Sequence, residues 1–299
     1  MQALMGFAAG ADYSAGVKLV SGYFPRRERG RAIGLLMSAS SSAVIITNAI
    51  PPSVVAAWGW RNAYHGLGGA VLVIAVLCIF FIRNTRITEE AEPQKGPSAL
   101  LQHVTSTNFI LLSIAGTGAF WGTLGLMAWA IPLMVKEHGL TTVQAGFVIA
   151  VAGIAGLFSK PSIGWLSDQF GGRRKALSIL SFAFFATILL LFGQLKTLTA
   201  FEFAAPLIGI GAFVYSPLLV AMVAEGAGIK LAGSAAGIAN AIWQLGSAMA
   251  PAAIGAVFQR TQSFSMSFAA LAAGPLLAVV LMPFVRDDQE RPETLESNE

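Results

Sequence analysis

Long apolar runs dominate the chain, and short polar links separate them. Nine runs reach about 20 mostly apolar residues, the length that a helix needs to cross the hydrocarbon core. Their approximate bounds are Gln2–Phe24, Ala32–Trp58, Ala63–Ile82, Asn108–Met134, Thr142–Leu166, Ala176–Leu195, Ala200–Ala224, Leu231–Phe258 and Phe264–Val285. Membrane β-barrels instead use alternating strands of about 10 residues. The pattern predicts an all-α membrane protein, a bundle of about nine transmembrane helices.

Composition supports the same fold class. Charged residues make up 11% of the 299 residues, whereas a soluble domain carries about 25%. Hydrophobic residues reach 55% and the mean hydropathy is +0.69. These values exclude a disordered chain and a nucleic-acid-binding arm, and they argue strongly against a soluble enzyme. A single cysteine, Cys78, excludes a disulfide framework.

Basic residues indicate the orientation in the membrane. With the links numbered in order, 13 of the 19 Lys and Arg lie on one side and 4 on the other, while Lys18 and Lys160 fall within predicted helices. The positive-inside rule makes the richer side cytoplasmic. We therefore expect a multi-pass protein of the cytoplasmic (inner) membrane with a cytoplasmic C-terminus. The first predicted helix begins at once, without a polar lead, and the number of spans is odd, which suggests that helices are lacking at the N-terminus.

Three links resemble those of the major facilitator superfamily. Residues 164–175 read Gly-Trp-Leu-Ser-Asp-Gln-Phe-Gly-Gly-Arg-Arg-Lys and resemble that family's cytoplasmic-loop motif, Gly-x-Leu-x-Asp-Arg-x-Gly-Arg-Arg. Residues 23–32 look like the Trp-Phe-Pro-x-x-Glu-Arg-Gly link between the family's fourth and fifth helices. Residues 59–61, Gly-Trp-Arg, are similar to the start of its sixth helix.

The resemblance implies a twelve-helix fold without its first three helices. It divides the chain into a partial N-terminal bundle of three helices over 1–82, a central cytoplasmic linker over 83–107, a C-terminal six-helix bundle over 108–285 and a cytoplasmic tail over 286–299. The linker stretch has the polar, Glu-, Pro- and Gly-containing composition that such a connection needs.

The loop motif implies a latch that holds one alternating-access state. Its predicted residues are Gly164, Asp168, Gly171, Arg173 and Arg174. A carboxylate at a helix end can accept backbone N–H bonds, and arginines can reach neighbouring carboxylates. An extra glycine shifts the basic run by one position, so Arg173 is expected in the motif's arginine role. The alternative is that the basic residues only mark topology.

Ionisable residues inside the membrane are candidates for substrate binding or coupling because their burial is costly. Asp12 lies near the middle of the first span and suits a proton or a cationic group, or a helix–helix hydrogen bond. Lys18 suits an anion or snorkels to the interface. Lys160 precedes Pro161, which frees the carbonyl of Leu157, so this point could coordinate an anion; alternatively Lys160 snorkels to the interface or forms a structural salt bridge.

Polar and aromatic residues complete the candidate set. Asn240 and Gln244 share one face of the eighth span, which could line a wet cavity or seal a helix–helix contact. Trp121 and Tyr215 lie at mid-membrane on helices that face the central cavity in the family, or they are ordinary packing residues. Glu225 ends the seventh span and could be a cytoplasmic gate or a solvated charge.

No enzyme signature, nucleotide-binding loop or His/Cys metal cluster occurs in the sequence. We therefore expect no enzyme activity, no cofactor and no metal, and transport driven by a solute or ion gradient. The expected partners are the lipid bilayer, a small solute and a coupling proton or counter-solute, with no nucleic acid. The hypothesis is secondary active transport of a polar or anionic organic metabolite by alternating access. The rival hypothesis is a non-transporting membrane protein, a truncated remnant, scaffold or sensor.

Overall fold

The computed structural model describes residues 2–49, 51–81 and 97–286. These residues form ten α-helices and no strand. The helices are α1 Gln2–Tyr23, α2 Arg26–Ala49, α3 Pro51–Phe81, α4 Pro97–Val104, α5 Thr107–Pro132, α6 Thr142–Gln169, α7 Arg174–Phe192, α8 Leu198–Ser247, α9 Ala250–Thr261 and α10 Phe264–Leu281. A π-helical turn, Leu133–Glu137, extends α5, and a 3-10 turn, Met282–Phe284, extends α10.

The predicted fold class, an all-α membrane bundle, is confirmed. Six helical stretches in the described residues are long and apolar enough to cross a membrane, and the longest, Leu198–Thr261, is long enough to cross twice. Its helix breaks at Gly228, whose backbone (φ 74°, ψ 164°) is not helical, so 198–227 and 229–247 are separate segments. The helices α1 and α2 account for the two remaining predicted spans.

Helix bounds differ from the predicted apolar runs at several ends. The helix α2 begins at Arg26 rather than Ala32, and α6 continues to Gln169 rather than Leu166. Both extensions are polar, because a helix can continue past the hydrocarbon core into the interface, where charged side chains are hydrated. The helix α3 breaks at Gly59 (φ 77°, ψ 160°), so its first turns belong to the predicted second span. The short α4 lies within the stretch predicted as linker.

Tryptophan side chains form hydrogen bonds between α5 and three other helices, α8, α9 and α10. The indole N–H of Trp121 on α5 donates to the carbonyl of Ala270 on α10 (3.3 Å), and that of Trp129 donates to Pro251 on α9 (3.1 Å). Trp243 on α8, fully buried, donates to Leu112 on α5 (3.3 Å). These bonds tie α5 to α8, α9 and α10.

Two contacts join α1 and α2 to that bundle. The helix α2 packs along α6, and we call this contact the α2–α6 seam. The helix α1 packs on the second half of α8, where Gly233 meets Lys18 and Gly237 meets Ser14. The apolar half of α3, by contrast, has most of its side chains exposed within the described residues.

Candidate functional site

The turn after α6 places Asp168 at one end of the α2–α6 seam. Gly171 (φ 67°) and Gly172 (φ 79°) follow in the left-handed region, which favours glycine. Their N–H groups donate to the carbonyls of Asp168 (3.2 Å) and Ser167 (2.8 Å), which ends the helix and sends the chain back into α7 at Arg174.

Asp168 joins α2, α6 and α7. Its Oδ1 accepts a hydrogen bond from the backbone N–H of Gly30 (3.1 Å), and its Oδ2 accepts one from the backbone N–H of Arg31 (2.8 Å). Both donors lie near the N-terminus of α2, where a negative charge interacts favourably with the helix dipole. Arg174 Nη2 lies 3.3 Å from Oδ1 and forms an ion pair with a side chain that is only 8% exposed.

Arg174 extends the contact to α8. Its Nη1 lies 2.9 Å from Glu225 Oε1, and both side chains are largely buried. We call Gly30, Arg31, Asp168, Arg174 and Glu225 the latch cluster.

Arg174, and not Arg173, makes the contact with Asp168. Arg173 was expected in the arginine role, but it is exposed and precedes α7 as its N-terminal flanking residue. The reason is geometric, because the two left-handed glycines set the length of the turn and bring Arg174 round to face Asp168. The ion pair with Glu225 on α8 was not predicted, because a contact between two links depends on how the helices pack.

Close backbone approach at glycines brings the latch cluster together. A Cβ on Gly164 would clash with the carbonyl oxygen of Gly30, and one on Gly34 would lie 2.5 Å from the carbonyl oxygen of Lys160. The motif's Gly164 is therefore needed for the close contact between the two helices. Farther along the seam, Gly156 faces Ser41 and Phe213.

Lys160 is buried at mid-seam, with 1% of its surface exposed. Its Nζ donates to the carbonyl of Met37 (2.9 Å) and to Ser40 Oγ (2.5 Å) on α2, and it lies 4.8 Å from the centre of the Phe213 ring. Within the described residues it has no carboxylate partner. These two hydrogen bonds and the ring contact are the interactions among described residues that offset the cost of burying this cation.

The carbonyl that Pro161 frees has a partner across the seam. Ser38 Oγ on α2 lies 3.2 Å from the carbonyl oxygen of Leu157. The sequence identified the freed carbonyl but not this partner, because only the register of α2 against α6 places Ser38 opposite it.

Asp12, Lys18, Asn240 and Gln244 lie along the contact between α1 and α8. Since Lys18 meets Gly233 and Ser14 meets Gly237, the two helices run antiparallel. Asp12 and Asn240 lie two and three residues beyond that second contact, so at about 1.5 Å per residue they are at similar depth. Asp12, Lys18 and Gln244 are exposed and Asn240 is half-buried. No described residue makes a hydrogen bond or ion pair with Asp12.

Trp121 and Tyr215 lie in the packed interior of the C-terminal helices. The Tyr215 hydroxyl is 2.8 Å from Thr123 Oγ1, and its ring contacts Phe120, Phe182 and Phe185. With 1% of its surface exposed, Tyr215 reaches no open space here, and the half-buried Trp121 donates its N–H to α10. The expectation of ligand contacts, which came from the helices that face the cavity in the family, stays a prediction for both residues.

A cavity of about 590 Å³ lies beside the latch cluster. It is lined by the end of α1, the start of α2 and the break in α8, including Ser21, Arg29, Glu225 and Gly228. Arg29 Nη2 donates to the carbonyl of Ser21 (3.0 Å) and so ties α2 to α1 at this end.

The family model for the Major Facilitator Superfamily matches residues 1–251, most of the chain. The chain belongs to this superfamily. Its similarity to an uncharacterised superfamily transporter of Mycobacterium tuberculosis is 26% identity over 288 residues, covering 94% of this chain and 62% of that protein. The chain therefore spans less than two thirds of the length of this relative. It is 22% identical over 327 residues to a probable galactarate/D-glucarate transporter of Escherichia coli, covering 98% of this chain and 73% of that protein.

The fold also matches a solved superfamily structure. The superfamily transporter FucP, in the outward conformation, superposes with a TM-score of 0.70 at 13% identity, covering 92% of this chain and 72% of that one. At this identity the likeness shows the fold. The chain is thus a multi-pass membrane protein of a transporter family, as the loop motif indicated.

Proposed function

We propose that the chain carries out secondary active transport of a small anionic organic metabolite by alternating access. The observation that carries the proposal is Lys160, a cation buried in the α2–α6 seam within the predicted fifth span and bonded, among the described residues, to neutral groups only. An anionic group entering the seam would offer Lys160 a stronger, charge-assisted bond than a carbonyl or a hydroxyl does.

The relatives support an organic acid as the substrate. The Escherichia coli relative is described as a probable galactarate/D-glucarate transporter, and both names denote anions with several hydroxyl groups. Such a solute would use Lys160 for a carboxylate and amide groups such as Asn240 and Gln244 for hydroxyls. Asp12 would serve a coupling proton, since it is the ionisable group at the level of Asn240.

The latch cluster belongs to the end of the bundle that we propose to be cytoplasmic. In this state Asp168 and Arg174 hold α2 against α6 and α8. Opening that end would require these bonds to break while the bundles rock about the central site.

The orientation has a direct test: Arg27→Cys, in a Cys78→Ser background, should react with a membrane-impermeant thiol reagent only after the cells are permeabilised. Labelling of intact cells would reverse the orientation.

Uptake into proteoliposomes tests the proposed substrate class. Purified full chain should take up galactarate, and unlabelled D-glucarate should compete, whereas the uncharged hexitol galactitol should not. Asp12→Asn should abolish dependence on a proton gradient while binding survives. Uptake of none of a panel of organic acids, by protein that is folded and monodisperse, would favour the rival hypothesis of a non-transporting membrane protein.

A further inference from the structure

The hydroxyl of Ser38 has two acceptors, one on each side of the α2–α6 seam. Its Oγ lies 2.9 Å from the carbonyl oxygen of Gly34 on its own helix and 3.2 Å from that of Leu157 on α6. A hydroxyl has one proton, so it can donate fully to only one acceptor at a time. The donor therefore keeps a partner whether or not α6 is present.

The hydroxyl of Ser40 also keeps a partner on its own side of the seam, whereas the Lys160 ammonium depends on α2. Ser40 Oγ donates to Met37 on its own helix (2.8 Å), a bond that does not depend on Lys160. Lys160 in turn lies over the ring of Phe213, which belongs to α8 on its own side of the seam. Separation of α2 from α6 would leave Ser40 its hydrogen bond, whereas Lys160 would lose both hydrogen-bond acceptors and keep only its contact with the Phe213 ring.

Inside the C-terminal bundle, the hydroxyls of Thr117 and Thr123 also have one acceptor on their own helix and one on α8, but the tryptophan N–H groups do not. The indoles of Trp121, Trp129 and Trp243 each have a single N–H that donates to one carbonyl on another helix. An indole has no second donor and no acceptor, so moving these helices apart would leave a polar group unpaired in a lipid environment.

The carbonyl of Leu157 lacks a hydrogen-bond partner within its own helix, and Pro161 is the reason. Proline has no N–H, so the carbonyl of Leu157, four residues earlier, loses its helical donor. Ser38 supplies a donor to it from across the seam.

We propose that Ser38 is a positioning residue whose hydroxyl shifts its hydrogen bond between the carbonyls of Gly34 and Leu157. In the closed seam its hydrogen bond is shared between the carbonyls of Gly34 and Leu157, at 2.9 and 3.2 Å, and in the open seam it donates to Gly34 alone. Ser38 thereby stabilises the closed state while leaving little penalty on its own side when the seam opens. The inference rests on the proposed alternating access.

A distance measurement tests the switch independently of uptake. Spin labels at Arg27→Cys and Gln169→Cys, both exposed positions near the latch cluster, report the separation of α2 and α6 in nanodiscs, in a Cys78→Ser background. Ser38→Ala should lower the ratio of short to long distances roughly two- to tenfold, as expected for one lost hydrogen bond. Ser38→Thr, which keeps the hydroxyl, should restore the ratio.

Pro161→Ala supplies the decisive comparison. The substituted alanine has an N–H that can bond to the Leu157 carbonyl within α6, so in this background Ser38→Ala should leave the distance ratio unchanged. Ser162→Ala is the matched control, because that exposed hydroxyl bonds to Phe158 on its own helix.

Two outcomes would overturn the proposal. An equal shift by Ser38→Ala with and without the Pro161→Ala substitution would mean that Ser38 does not act on the Leu157 carbonyl, and no shift in either background would remove its role altogether. If Ser38→Ala changes the distance ratio only where Pro161 is present, and the protein shows no uptake, the proposed transport function is contradicted but the Ser38 switch is supported.

Discussion

Lys160 is the residue at which stability and function should separate. It is buried, and its bonds go to a carbonyl and a hydroxyl rather than to a carboxylate. Replacing a buried charge by an apolar side chain of similar volume is often neutral or stabilising, because the desolvation penalty disappears. A purely structural lysine would instead destabilise the protein when removed.

We predict that Lys160→Met leaves the melting temperature in detergent unchanged or raises it by a few degrees, whereas substrate binding is lost. Fluorescence-detected thermal unfolding, with and without galactarate, measures both. Lys136→Met, at an exposed lysine, is the control and should keep the ligand-induced shift. A marked fall in melting temperature for Lys160→Met would make Lys160 a structural residue.

The two adjacent arginines of the turn after α6, Arg173 and Arg174, should differ in their effect on the latch cluster. Arg174→Ala removes the ion pairs to Asp168 and Glu225, so it should open this end of the seam, whereas Arg173→Ala should have little effect. Alkylation of Ser41→Cys, a fully buried position on α2, measures opening in a Cys78→Ser background. We expect about tenfold faster alkylation for Arg174→Ala, in line with the loss of hydrogen bonds between charged groups. Equal rates for the two variants would exclude the assigned pairing.

Residue types could be predicted from the sequence better than their partners could. Pro161 and the freed Leu157 carbonyl follow from local chemistry, and the Asp168 turn follows from its glycines. The partners Ser38, Met37 and Glu225 depend on helix register and phase, which hydropathy does not encode.

At the scale of elements, glycines rather than long side chains set the α2–α6 seam. Gly30 and Gly34 on α2 meet the α6 backbone near Gly164 and Lys160. Small residues let membrane helices approach closely where no hydrophobic effect drives association. Which helices these glycines join depends on how the helices pack, and the sequence alone does not indicate it.

We predict that Gly164→Ala separates α2 from α6 and weakens the Asp168 bonds, because its Cβ would meet the Gly30 carbonyl. Gly146→Ala is the matched control on the same helix, where a Cβ would meet nothing within 4 Å. The distance between labels at residues 27 and 169 should increase for Gly164→Ala alone. Unchanged distances in both variants would mean that close approach at Gly164 is not required.

At the scale of the whole molecule, hydropathy and the side bias of basic residues were enough to predict the fold class and the approximate spans. They succeeded because every crossing helix must satisfy its own backbone in lipid. The division into bundles and linker stays a prediction: residues 82–96 and the tail beyond 286 lie outside the described residues. The two contacts that join α1 and α2 to the C-terminal helices followed only from packing.

The most direct test of substrate binding by Lys160 is uptake of labelled galactarate by proteoliposomes that contain Lys160→Ala or Lys136→Ala. Each variant loses one lysine, but only Lys160 lies in the α2–α6 seam. We predict that galactarate uptake by Lys136→Ala equals that of the unaltered protein. Uptake by Lys160→Ala should fall to the level of empty liposomes, with both proteins equally folded. Unimpaired uptake by Lys160→Ala would contradict it.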